Sequence, residues 1–114
     1  MQTQSLLQAD LDQFIGTTQY FRHFLGLKYT DGVKYMADQG RAYWLIDVIA
    51  SYRRKERFQV WELKVNPDKS CVVTMREDTG QPTKVRQEIL HTDFPLESIK
   101  FYLIDGVLLL PSEY

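Results

Sequence analysis

The sequence predicts an α+β fold, in which N-terminal helices pack on one face of a roughly five-stranded antiparallel meander. Two observations support this prediction. Apolar residues recur at steps of three and four in the first half of the chain, whereas from Arg57 onward they alternate with polar residues, as in half-buried strands. Short turn sequences join the alternating segments, which is typical of neighbouring antiparallel strands.

Two helices are expected ahead of the longest one. The first, in SLLQADLDQFIG, has Ser5 as a candidate N-cap and ends at Gly16. Its apolar stripe consists of Leu6, Leu7, Leu11, Phe14 and Ile15. The second, in TDGVKYMADQG, has Thr30 or Asp31 as its N-cap and ends at Gly40, which is expected in a left-handed conformation.

A third helix is predicted in RAYWLIDVIASYRRKE, whose apolar residues lie almost all round. A helix without a polar face is usually the most buried one of its domain, so Trp44 and its neighbours are expected to cover one face of the sheet. Asp47 interrupts this apolar run. Because a buried carboxylate is costly unless it is paired or hydrogen-bonded, Asp47 is interpreted as a satisfied structural acid. The alternative is a functional carboxylate at the floor of a pocket.

Five strands are predicted after the helices, in FQVWELKV, CVVTMR, KVRQEILH, SIKFYLI and VLLLP. The first of them places Trp61, Leu63 and Val65 on one face and charged residues on the other. Asp105 and Gly106 separate the last two strands. This dipeptide suits the positive φ angles of a two-residue type I′ turn, so the two strands should form a tight hairpin.

Length and composition indicate a single domain, residues 1–114, with a helical part up to about residue 56 and a sheet part from about 57 to 111. The net charge of −1 gives no long-range attraction for nucleic acid or acidic lipid. The single cysteine excludes an internal disulfide bond, and the sequence has neither a signal-peptide pattern nor an apolar run that would span a membrane. A cytoplasmic protein without membrane contact is therefore expected.

The sequence lacks the common motifs of metal, cofactor and nucleophilic chemistry. The residues that typically bind zinc are His23, His91 and Cys71, and since no two of them are close in sequence, no metal site is expected. Neither a glycine-rich phosphate loop nor a G-x-S-x-G motif occurs, so no cofactor and no catalytic residue is assigned. Cys71 is expected to be a small buried residue, and His23 is the stronger candidate for acid–base chemistry.

The segment TQYFRHFLGLKYTDGVKYM is rich in aromatic residues. Its large apolar side chains are expected in the core, and its tyrosines on a rim that binds a partner, because their hydroxyls need water or a hydrogen-bonding group. The core members are Phe21, Phe24, Leu25 and Leu27. The basic run Arg53–Arg57 is interpreted as a solvated helix end. The candidate binding residues are Tyr20, Arg22, His23, Tyr29, Tyr35, Tyr43, Asp47, Arg53 and Arg54.

Three segments are long enough to be specific: GTTQYFRHFLGLKYTDGVKYMADQGRAYWLIDVIASY, FQVWELKV and TDFPLESIKFYLIDGVLLLPSEY. Through them the chain resembles a family of small bacterial proteins catalogued only as a domain of unknown function. The resemblance runs from about Gly16 to Tyr114 and is less clear in the residues before Gly16. It implies no activity, cofactor or site residue. Because such short accessory genes often lie on plasmids and phages, it implies a modulator of a host system, such as an anti-defence protein.

The sequence therefore favours a non-enzymatic binding module whose partner is another protein, and it indicates no oligomeric state. One alternative is a small enzyme that uses Asp47 and His23 in a tyrosine-lined pocket. Another is a nucleic-acid-binding protein that uses the basic run Arg53–Arg57. This second alternative is disfavoured, because a firm DNA binder typically makes about six to ten phosphate contacts.

Overall fold

The computed structural model describes residues 8–16 and 19–114. Within them the helices are α1 (Gln8–Asp12), α2 (Asp31–Gly40) and α3 (Tyr43–Ser51). The strands are β1 (Tyr20–Arg22), β2 (Lys28–Thr30), β3 (Phe58–Val65), β4 (Cys71–Arg76), β5 (Thr83–Ile89), β6 (Ser98–Ile104) and β7 (Val107–Leu109). A short 3-10 turn, Pro111–Glu113, follows β7. The chain thus combines helices and strands, as an α+β fold requires.

The described strands form one mixed sheet of seven, in the order β1-β2-β7-β6-β3-β4-β5. All neighbours are antiparallel except β2 and β7, which run parallel. The predicted five-stranded antiparallel meander is therefore wrong, and two strands lie in the part predicted to be helical. The reason is their length: β1 and β2 have three residues each, which is too short for an alternating pattern to be recognised.

The longer strands were predicted accurately. The bounds of β3, β4 and β6 match the alternating segments FQVWELKV, CVVTMR and SIKFYLI. The turn between β6 and β7 has φ angles of 49° at Asp105 and 84° at Gly106, which confirms that both central residues take positive φ. In these strands every second residue enters a core that includes Trp61, Leu63, Val73, Met75 and Phe101.

α3 lies on the core face of the sheet, where Tyr52, the residue that follows it, packs against Trp61 with ring centroids 5.7 Å apart. α1 and α2 contribute to the same core through Leu11, Met36 and Ala37. Gln8 of α1 also lines a cavity together with Glu62 and Lys100, which alternate away from the core. The packing of all helices on a single face stays a prediction.

α1 ends earlier than the predicted first helix, at Asp12 instead of Gly16. Leu11 is buried, as expected, and Phe14 packs against Tyr35 of α2 with ring centroids 5.3 Å apart. Ile15, by contrast, is 84% exposed, because the helix ends at Asp12 and Ile15 falls outside its buried stripe. The other predicted positions, which lie outside the described residues, are Ser5, Leu6 and Leu7.

α2 begins as predicted and ends one residue later. Its N-cap is Thr30, whose Oγ1 accepts a hydrogen bond from the backbone N–H of Val33 at 3.2 Å. Gly40 is still helical and buried, and Arg41 takes the left-handed conformation instead, with φ of 53°. The chain therefore places a non-glycine residue at a position where glycine is the low-cost choice.

α3 is not the uniformly buried helix that its composition predicts. Leu45, Ile46, Ile49 and Ala50 are buried. Tyr43, Asp47 and Ser51 are exposed, since a spacing of four residues puts them on one face. Trp44 is only half-buried, and the fully buried tryptophan is Trp61 of β3. The longest of the described helices, α2, has ten residues. No described helix is long and apolar enough to cross a membrane.

Candidate functional site

The loop between β1 and β2, residues 23–27, is closed by its own backbone. His23 donates its N–H to the Leu27 carbonyl at 2.8 Å, and Gly26 donates to the His23 carbonyl at 2.9 Å. Gly26 has φ of 109°, a conformation that side-chain-bearing residues rarely adopt. A glycine is therefore needed to turn the chain here, and the turn presents Phe24 and Leu25 between its two hydrogen-bonded ends.

His23 is buried, and both of its ring nitrogens are engaged. Its Nδ1 accepts the backbone N–H of Leu25 at 3.0 Å, and its Nε2 lies 2.6 Å from Oδ1 of Asp47. Because Nδ1 acts as an acceptor, the ring proton is on Nε2, which donates it to the carboxylate. The arrangement is a clamp that ties the loop to α3.

Asp47 is more exposed than its apolar sequence neighbours predict. Its side chain is 60% exposed, so the prediction of a buried acid inside an apolar helix is wrong. The stripe of Tyr43, Asp47 and Ser51 gives α3 a solvent-facing side, and the Asp47 carboxylate reaches from that side to His23. The structure thus brings together two of the candidate residues that the sequence singled out, although they are far apart in the chain.

Phe24 is the most exposed aromatic side chain among the described residues, with 83% of its surface accessible. Its ring stacks on the imidazole of His23, with centroids 4.5 Å apart and planes 26° apart. The prediction that Phe24 belongs to the core is wrong, because its side chain is exposed in the turn between β1 and β2. Phe21, Leu25 and Leu27 are half-buried.

The predicted tyrosine-rich rim is divided between two faces of the sheet. Tyr29 lies beside the buried Leu108 in the parallel pair, and its ring stacks on Phe21 at 5.7 Å, so both face the helices. Tyr20 and Arg22 alternate with Phe21 and therefore point to the other face. Tyr35 packs at the junction of α1 and α2 instead, and these residues do not form one site.

Tyr43 joins α3 to α2 through a small polar network. Its hydroxyl donates to Asp38 Oδ1 at 2.5 Å, and Lys34 Nζ lies 2.9 Å from the other carboxylate oxygen. These hydrogen bonds hold the pKa of Asp38 below its usual value, and burial is the main reason why the pKa of Tyr43 is raised. Lys34 also lies 5.6 Å from the centre of the Phe21 ring. The tip of Tyr43 is thus held in place rather than free.

The basic run after α3 is partly neutralised by nearby acids. Arg54 donates to both carboxylate oxygens of Glu56, at 3.1 Å from Nε and 2.5 Å from Nη2, and this lowers the pKa of Glu56. Arg57 pairs with Asp105 at 2.7 Å. Arg53 is exposed and makes no ion pair within the described part of the chain.

The sequence does not predict the buried acid Glu113, which lies in the turn after β7. Glu113 is 9% exposed, and its Oε1 accepts the Thr30 hydroxyl at 2.6 Å and the Leu110 N–H at 2.9 Å. Its Oε2 accepts the Gly32 N–H at 3.3 Å. Burial raises the pKa of Glu113 despite these donors. No local pattern around PSEY predicts this role, because the partners Thr30 and Gly32 lie in the first third of the chain.

The other candidates for metal or redox chemistry are apart from one another. Cys71 is buried, as predicted, and burial raises the pKa of its thiol. His91 is exposed, with Nε2 3.2 Å from Asp93. Across residues 8–16 and 19–114, no three histidine, cysteine or acidic side chains are grouped as a metal site would require.

Comparison with known proteins adds a family but no activity. No curated protein matches the chain. No solved structure matches it either. A family model matches residues 5–114, which extends the resemblance into the segment before Gly16. The chain therefore belongs to a family of unknown function, DUF6876.

Proposed function

We propose that the protein is a non-enzymatic protein-binding module and that Phe24 is its main contact residue. The observation that carries this proposal is the combination of exposure and support at this position. Phe24 is 83% exposed, yet its ring rests on a histidine that is buried and fixed at both nitrogens. Exposed apolar side chains are common on protein surfaces, so exposure alone would not distinguish it.

Rigid support matters because a partner that binds a mobile side chain has to pay for ordering it, at about 0.5–1.5 kcal/mol for each rotamer-rich side chain. A ring already stacked on His23 has lost most of that freedom. Aromatic side chains are also the type most often found as binding hot spots. Leu90 is 93% exposed and lies at the end of β5, where no ring stacks on it, so it offers a comparison within the same chain.

The surroundings of Phe24 resemble the anatomy of an interface. Asp47 is bound at the edge of the His23 ring on which Phe24 stacks, and Tyr43, one turn earlier on α3, is 41% exposed. Interfaces typically combine an apolar centre with a polar, partly hydrated rim, and tyrosine is enriched in them. Phe24 supplies the centre of such a surface, and Tyr43 and Asp47 supply part of its rim.

The enzyme alternative is less well supported by the same residues. A general base needs a free nitrogen within reach of a substrate proton. His23 uses Nδ1 for Leu25 and Nε2 for Asp47, it is 7% exposed, and Phe24 covers its ring. The pair is better explained as the support for Phe24 than as a catalytic dyad.

The nucleic-acid alternative also loses support. Of the basic run, Arg54 and Arg57 are paired with acids, which leaves Arg53 and Lys55 for phosphate contacts. Two cations supply far less than the roughly six to ten contacts of a firm DNA binder.

The proposal is tested by quantitative capture from an extract of the natural host cells, with the wild-type protein, Phe24→Ala and Leu90→Ala as baits. We expect specific partners to be retained by the wild type and by Leu90→Ala. Phe24→Ala should bind the same partners about thirtyfold more weakly, as the loss of a hot-spot side chain does. Equal capture by Phe24→Ala and wild type would refute the proposal. A captured partner from a host defence system would in addition support the accessory role that the resemblance implies.

A further inference from the structure

A cavity of about 330 Å³ lies between the β1–β2 loop, the end of α3 and the β6–β7 turn. Its deepest lining residues are apolar and buried: Ile49, Ala50 and Leu103. Leu25 and Leu27 line it from the loop and are half-buried. The volume is at the lower end of the range for small-molecule sites, which is roughly 300–1,000 Å³.

The charged groups around this cavity leave one cation unpaired. Arg53 and Arg54 both line it, and Arg54 is bound on two nitrogens by Glu56. Asp105 adjoins the lining residue Gly106, but its carboxylate is bound by Arg57 at 2.7 Å. Arg53 is exposed and pairs with no acid in the part of the chain that the structure describes. A ligand anion would therefore meet a guanidinium with no competing carboxylate.

Arg53 also occupies a conformation in which arginine is costly. It is the second residue after α3, has φ of 51°, and donates its N–H to the Ala50 carbonyl at 3.3 Å. Glycine is the usual left-handed residue just after a helix. Arg41, the first residue after α2, is left-handed as well, with φ of 53°, but it does not line this cavity. The chain thus contains a matched pair of left-handed arginines, of which only Arg53 lies at the cavity.

We propose that this cavity binds an apolar carboxylate, with the apolar body against Ile49, Ala50 and Leu103 and the carboxylate on the Arg53 guanidinium. A planar guanidinium binds a carboxylate through two parallel hydrogen bonds, which makes it well suited to this group. The same chemistry is offered by a free branched-chain acid and by the C-terminal leucine of another chain. This inference is independent of the role proposed for Phe24, because Phe24 does not line the cavity.

The test is a titration of the isotope-labelled, full-length protein followed by two-dimensional amide NMR spectra. Isocaproate is the probe, and isocaproamide, which has the same shape without the charge, is its control. We expect saturable shifts of the amides of Gly26, Ala50 and Gly106 with isocaproate, and affinity about tenfold lower for the amide, because a charge-assisted hydrogen bond is lost. Absence of saturable shifts, or equal affinity for acid and amide, overturns the inference.

Two variants assign the effect to the guanidinium. Arg53→Gly removes the cation and relieves the left-handed backbone, so the protein should stay folded and bind acid and amide equally. Arg41→Gly relieves the same backbone strain elsewhere and should keep the preference of the wild type for the acid. If Arg53→Gly still prefers the acid, the proposed contact is wrong.

A second pair of probes distinguishes the two sources of the carboxylate. Gly-Gly-Leu with a free carboxyl group and its amidated form are titrated under the same salt conditions. Tighter binding of the free peptide than of isocaproate identifies a chain end as the preferred ligand. Weaker binding of the peptide identifies a small free acid, and either result supports the carboxylate site.

Discussion

The central strands and the N-terminal hairpin belong to one sheet, yet they are held in it by different means. β3 has eight residues, β4 six and β6 seven, and most of their core-facing side chains are buried. β1 and β2 have three residues each. They are held by the short parallel pairing of β2 with β7 and by a few side-chain contacts, among them His23 with Asp47 and Thr30 with Glu113.

This difference predicts two kinds of response to substitution. Long paired strands with a buried face separate only when the whole domain unfolds, so destabilising substitutions in them lower the global free energy of unfolding. A short hairpin held by a few contacts is able to open alone, so destabilising substitutions there appear first as local opening. The proposed binding residue Phe24 belongs to the second region, where small changes alter presentation without unfolding the core.

The largest effect is expected for Trp61→Ala in β3. Trp61 is fully buried, and its Nε1 donates to the buried Gln59 side chain at 2.7 Å. Truncation should lower the free energy of unfolding by about 3–5 kcal/mol, as the loss of a buried aromatic ring does. Trp44→Ala should cost less, because Trp44 is half-buried. Urea denaturation checks both variants, and equal losses would contradict the assignment of Trp61 to the centre of the core.

A smaller effect is expected at the contact between α2 and the C-terminal turn. A Cβ atom at Gly32 would lie 2.7 Å from the Glu113 carboxylate, so Gly32→Ala should destabilise the protein by about 2 kcal/mol. In a Glu113→Ala background the obstacle is gone, and the same substitution should stabilise the protein by up to about 1 kcal/mol, because alanine is the better helix former. Denaturation of the four proteins forms a double-mutant cycle. Additive effects would show that the two residues do not interact.

A local effect is expected for Asp47→Ala. It leaves the Nε2 proton of His23 without its acceptor, but the exposed side of the pair allows water to replace the carboxylate, so the cost should be about 1 kcal/mol. Amide hydrogen exchange should accelerate at His23 and Leu25 and stay unchanged in β3. Asp47→Asn retains an acceptor oxygen and serves as the control. Faster exchange in β3 as well would mean that the hairpin does not open separately.

The smallest effect concerns pH. Because burial raises the pKa of Glu113 above its ordinary value of 4.5, the folded protein holds this proton more tightly than the unfolded chain. The resulting contribution to stability is complete below the ordinary value and is lost as pH rises through the raised one. Glu113→Gln should remove this part of the slope when urea midpoints are compared from acid to neutral pH. An unchanged slope would mean that the hydrogen bonds to Glu113 offset its burial, so that its pKa is the same in the folded and unfolded protein.

The sequence predicted the long strands well because each carries its own alternating pattern and lies beside a turn signal such as Asp105-Gly106. It did not predict β1 and β2, since three residues carry no recognisable period and β2 pairs with β7, which is distant in the chain. His23 and Asp47 were both singled out, but their contact depends on how the loop folds onto α3. The sequence predicts Phe24 in the core because an aromatic residue is usually buried, and its exposure depends on how the loop between β1 and β2 folds.

The position of β7 also determines the order in which the strands of the sheet are able to pair during synthesis. In the described sheet β2 has β1 and β7 as neighbours, and the Thr30 hydroxyl donates to Glu113 in the turn that follows β7. During synthesis the N-terminal hairpin therefore emerges from the ribosome long before its place in the sheet exists. β3, β4 and β5 pair with immediate neighbours and are able to assemble while translation continues. The loop that carries Phe24 reaches its final position only after β7 and Glu113 have been synthesised.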